Sequence, residues 1–125
     1  MRNINIIYKS KKDIEEINDK DYFNDKNTLV MVFSGICQED YIQSILKDIK
    51  GILPKCKIIG STSAGEICCD KNYEKETVIS ICRFENIELN LSFIEDELKD
   101  EYEIGKDIGG KLIKGDTKAL IMFAN

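Results

Sequence analysis

The chain has 125 residues, of which 42% are hydrophobic, enough to build one core and too few for two full domains. Its 23 acidic residues outweigh 18 basic ones for a net charge of −5, the wrong sign for gripping phosphates, so nucleic acid and anionic membrane surfaces are excluded as partners. Histidine is absent, which removes Ser-His and Cys-His nucleophile pairs, imidazole bases and His-ligated zinc. The five cysteines, Cys37, Cys56, Cys68, Cys69 and Cys82, are odd in number and irregularly spaced. No apolar stretch reaches signal-peptide or membrane-span length. Reduced thiols and a cytoplasmic location are therefore expected.

Taken in order, Ile4, Ile6, Ile7 and Tyr8 read as a first strand, and Ser10-Lys11-Lys12-Asp13 as a capping box opening a short helix that turns Ile14 and Ile17 inward. The nearby Lys9, Lys11 and Lys12 are a solvated helix start. Leu29-Val30-Met31-Val32-Phe33 is continuously apolar up to Ser34-Gly35, the pattern of a central strand buried on both faces. A helix follows with Glu39 and Asp40 in its first turn and a stripe of Ile42, Ile45, Leu46, Ile49 and Leu53, and Pro54 stops it. Lys57-Ile58-Ile59-Gly60 is the next short strand.

Residues 77–84 and 87–94, separated only by Glu85-Asn86, predict an antiparallel hairpin, its second strand amphipathic through Ile87, Leu89, Leu91 and Phe93. A third helix carries Ile104, Ile108 and Leu112, with Gly105 and Gly109 allowing close approach to a sheet. Ala119-Leu120-Ile121-Met122-Phe123 reads as a final strand. The acidic run Glu95-Asp96-Glu97 with Asp100 and Glu101 reads as a solvated face. The expected architecture is a single α/β domain over residues 1–125: a mixed, mostly parallel sheet with helices on its faces and an antiparallel hairpin, with Val30, Val32, Ile59 and Ile121 in one buried sheet.

The information-rich segment is Gly60-Ser61-Thr62-Ser63-Ala64-Gly65-Glu66-Ile67, with two glycines, three hydroxyls and a carboxylate at the carboxyl end of a strand, where open α/β sheets collect ligands. Gly60 and Gly65 have the spacing of a Walker loop, but Glu66 stands where the phosphate-binding Lys belongs and no Ser or Thr follows it, so a nucleoside triphosphate is repelled. Two readings remain. In one, the segment is a tight turn whose glycines take unusual backbone angles. In the other, Gly60, Ser61, Thr62, Ser63, Gly65 and Glu66 bind a small molecule, with Glu66 pairing a ligand ammonium.

The stretch from Leu53-Pro54 through Gly60-Ser61-Thr62-Ser63-Ala64-Gly65-Glu66-Ile67 resembles the LP…GCSTAGEI signature of the FIST N-terminal domain family, with Ser61 in place of the family's frequent Cys. The resemblance implies a sensory domain of signal-transduction proteins that binds a small ligand such as an amino acid. It brings no catalytic residues and no cofactor. It also implies a chain incomplete at its C-terminal end, with a C-terminal FIST domain and a signalling output domain as partners.

Two other functions stay open: a hydrolase using Glu39, Asp40 and Glu66 on one sheet edge, and a structural relay that binds nothing. The adjacent Cys68 and Cys69 are expected to point to opposite sides of an extended segment, which argues against a metal or redox site, and Cys37, Cys56 and Cys82 are expected in the core.

Overall fold

A computed structural model describes residues 1–95 and 98–123, so Asp96 and Glu97 of the acidic run lie outside the described residues. The chain divides into two compact units, Met1–Leu89 and Asn90–Asn125.

The first unit holds, in chain order, β1 (Arg2–Tyr8), α1 (Lys11–Glu15), α2 (Lys20–Phe23), β2 (Thr28–Ser34), α3 (Glu39–Ile52), β3 (Lys57–Thr62), β4 (Glu66–Cys68), β5 (Lys71–Tyr73) and β6 (Thr77–Arg83). Four of these strands make a mixed sheet in the order β1-β6-β2-β3, and β4 and β5 make a small antiparallel sheet. The apolar run of β2 lies inside the sheet as expected, parallel to β3 and antiparallel to β6. Parallel pairing is confined to β2 and β3, because β6 is also antiparallel to β1.

The core follows from the apolar periodicities. Val30 and Val32 of β2 and Ile79 and Ile81 of β6 are packed in one cluster with Ile45 and Ile49 of α3 and with Leu53, while Ile14, Ile17 and Phe23 add the first helices and the turn between them. Spacing of three and four residues puts Ile42, Ile45, Leu46 and Ile49 on one stripe of α3, and burying each such side chain contributes about 1.5–3 kcal/mol. Tyr8 ties β1 to α3 by donating its hydroxyl to Asp48 Oδ2 at 2.7 Å. Burial and the adjoining Asp48 carboxylate push the Tyr8 phenol well above its ordinary value.

Several expectations are corrected. Residues 77–84 do not pair with 87–94. Both edges of β6 are filled, by β1 on one side and β2 on the other, so no ladder is left for a hairpin partner, and Ile87, Leu91 and Phe93 are exposed. The hairpin that does form is β4 with β5. Ile59 lies in β3, an edge strand that is half-buried at its start and exposed from Gly60 to Thr62.

The second unit contains α4 (Glu101–Leu112), whose N-cap Asp100 accepts a hydrogen bond from the Glu103 N–H at 2.8 Å. No residue of α4 is buried. A Cβ at Gly105 would meet nothing within 4 Å, and one at Gly109 would meet only Ile113 of the same segment, so no close approach within this unit requires the pair. Residues 119–123 form no strand, and Ile121 is exposed rather than part of the buried sheet. An apolar run supplies strand propensity, but a strand also needs a ladder partner from elsewhere in the chain. Among the described residues no helix is long and apolar enough to cross a membrane.

Candidate functional site

The carboxyl ends of β2 and β3 and the start of β6 converge on Ser34, Thr62 and Thr77, which stand side by side in register. Past the strands, the Ser63 N–H donates to the Ser34 carbonyl at 2.9 Å and the Gly35 N–H to the Glu76 carbonyl at 2.8 Å, so both ladders continue one step beyond the sheet. The hydroxyls of Ser34 and Thr77, both buried, lie 2.8 Å apart, and the Tyr41 hydroxyl of α3 adds a third at 3.1 Å from Thr77 Oγ1. Ser34 also holds the following turn, accepting from the Ile36 N–H and donating to the Ile36 carbonyl. This polar cluster fixes where the chain leaves β2.

That exit forms one wall of an open cleft of about 560 Å³ lined by Gly35, Ile36, Cys37, Gln38 and Lys75. Gln38 is the N-cap of α3 and makes no side-chain cap, so the positive end of a 14-residue helix opens beside the cleft. Lys75, also lining the cleft, adds a cationic residue, its backbone in the left-handed region at φ 55°.

Behind Gly35 lies Glu66, the first residue of β4. It is only 5% exposed. The Ser63 hydroxyl donates to Oε1, whereas Oε2 is buried and has no hydrogen-bond partner among the described residues. A carboxylate oxygen held out of water without a donor costs several kcal/mol. Gly35, which lines the cleft, is the residue that separates that oxygen from it. A Cβ there would sit 2.9 Å from the Lys75 backbone nitrogen and 3.2 Å from Oε2, so only glycine fits between the Lys75 backbone and the carboxylate.

Of the residues singled out in the sequence, Ser63 and Glu66 meet at this site. Gly60, Ser61 and Thr62 belong to the exposed end of β3, not to a loop, and Ser61 spends its hydroxyl on the Thr62 carbonyl at 3.0 Å. Gly65 is exposed beside the Tyr73 carbonyl. Neither Gly60 nor Gly65 has a positive φ, so the expectation of unusual glycine angles is corrected. Gly60 is required for another reason: a Cβ there would lie 2.2 Å from the Val32 carbonyl oxygen across the β2–β3 ladder. Glu39 and Asp40 lie in the exposed first turn of α3, and among the described residues no hydrogen bond joins them to Glu66.

The sequence reading missed Gly35, Cys37, Gln38 and Lys75. Cys37 is exposed at the cleft, whereas Cys56 and Cys82 are buried as expected. The available signal was the Ser34-Gly35 step at the end of the most apolar strand. Lys75, inside Glu74-Lys75-Glu76, gave none.

Compared with known protein families, the model of the FIST N domain matches residues 28–125. No curated protein and no solved structure matches the chain.

Proposed function

The chain belongs to the FIST N domain family, the sensory domains of signal-transduction proteins, and from that premise we propose that it binds a small zwitterionic metabolite of the amino-acid class at the Gly35 cleft. The observation that carries this reading is the buried, unpartnered Oε2 of Glu66 against Gly35. A ligand ammonium supplies the donor that this oxygen lacks, and the α3 N-terminus with Lys75 receives the ligand carboxylate. Each end of the ligand is thus given a group of opposite charge, the ammonium Glu66 behind Gly35 and the carboxylate the α3 N-terminus with Lys75. In this reading the domain acts inside the cell as a binder, not a catalyst, and passes its bound state to a C-terminal FIST domain and an output domain.

The test uses thermal shift and calorimetry with a panel of amino acids, their N-acetyl derivatives and their methyl esters. Free amino acids are expected to raise the melting temperature, and both blocked forms to bind more weakly. Glu66→Gln is expected to weaken binding by about 2–5 kcal/mol, because a buried ammonium loses its counter-charge. If no amino acid shifts the wild-type melt, or if the variant binds with unchanged Kd, the assignment is wrong.

A further inference from the structure

The turn joining β4 to β5 consists of Cys69 and Asp70, whose φ values are 52° and 64°, with Cys68 paired to Lys71 across it. Two consecutive positive φ angles in a two-residue connection are the signature of a type I′ hairpin. This turn overturns the expectation for the neighbouring cysteines. Side chains of adjacent residues diverge only where the backbone is extended. With Cys69 left-handed, its thiol swings back over Cys68, and the two Sγ atoms lie 3.4 Å apart. Cys68 is buried and Cys69 is exposed.

We propose that Cys68 and Cys69 are a reversible modification site, a vicinal dithiol that closes into a disulfide by exchange with a low-molecular-weight disulfide of the glutathione class. The exposed Cys69 thiolate attacks one sulfur of the small disulfide, whose S–S bond breaks as the first small thiolate leaves. Cys68 then gives up its proton and attacks Cys69 Sγ, expelling the second small thiolate. Two protein thiols are oxidised and one small disulfide is reduced to two thiols, which carry away the two protons.

The division of labour follows from position. Burial, with the adjoining Cys69 thiol, holds the Cys68 thiol above its ordinary value, so Cys69 reacts first and Cys68 waits in contact to resolve it. Reversibility follows from chain geometry. Consecutive Cα atoms are about 3.8 Å apart, below the roughly 4.4–6.8 Å that an unstrained disulfide spans. A strained ring is more easily reduced than a structural disulfide.

The experiment incubates the full chain with oxidised glutathione, then counts thiols under denaturing conditions and maps peptides by mass. The count is expected to fall from the five cysteines of the reduced chain by two, with loss of two hydrogen atoms from the one peptide that carries both Cys68 and Cys69, and dithiothreitol is expected to restore it. Cys68→Ser should trap a glutathione adduct on Cys69. Cys69→Ser, altering only an exposed side chain, should slow modification of Cys68 about tenfold or more, as expected of a buried thiol. A wild-type chain that keeps a stable adduct on Cys69, retains all its thiols, or bridges through Cys37 would overturn the proposal.

Discussion

At the residue scale, the glycines of this chain separate into those that make room and those that do not. A Cβ on Gly60 meets the Val32 carbonyl at 2.2 Å, and backbone in a ladder cannot swing aside as a side-chain tip can. Gly60→Ala should therefore destabilise the protein by at least about 2 kcal/mol, by forcing β3 off β2. Gly51, in the last turn of α3, has nothing within 4 Å of its Cβ position. Gly51→Ala should stabilise by about 0.5–1 kcal/mol through helix propensity and a less flexible unfolded chain. Urea unfolding of the two variants checks both signs, and equal shifts would reduce Gly60 to an ordinary strand glycine. The special status of Gly60 was legible in its motif, but its cause was not, because close approach depends on which strand lies alongside. The left-handed positions fall instead on Asp19, Cys69, Asp70 and Lys75, residues whose composition gives no turn signal as strong as Asn-Gly.

At the scale of elements, legibility tracks length and periodicity. The seven-residue strand β2 and the helix α3 are long enough for their apolar patterns to be unambiguous, and both stand where the sequence placed them. The strands β4 and β5 have three residues each, too few to show alternation, and so the element that positions Glu66 was read as loop. Residues 87–94 fail in the opposite way. Their alternation is genuine, but β6 had no free edge to offer.

The helix α1 is short enough that its start should govern it. The Asp13 carboxylate accepts the backbone N–H groups of Lys9 and Ser10, both at 2.8 Å, and these bonds hold it below the usual aspartate range. A carboxylate whose folded value is lowered adds stability that is present above the unfolded value of 3.8 and is lost as pH falls through the folded one. Asp13→Asn should thus cost about 1 kcal/mol at neutral pH. The gap from wild type should narrow as the pH drops below about 4, where the native carboxylate takes up its proton. Urea titrations across that range measure it, and a gap constant with pH would mean that the charge of Asp13 plays no part.

At the scale of the whole molecule, the distribution of burial divides the chain unevenly. Among the described residues every buried one, from Tyr8 to Cys82, lies within Met1–Leu89, as do both sheets and the cleft lined by Gly35. Asn90–Asn125 contributes α4, which buries no residue. Helices of about this length are marginal in water without an apolar face packed on something, so stability of the two units should differ widely. A chain ending at Leu89 is expected to unfold cooperatively in urea with a midpoint close to that of the full chain. Limited proteolysis of the full chain is expected to cut first within residues 90–123, leaving a resistant core that retains β1 and β6. The FIST N match runs through both units, from residue 28 to 125, which makes the outcome informative either way. A fragment that unfolds without a cooperative transition would show that the first unit takes its stability from the second, despite holding the buried side chains of the described residues itself.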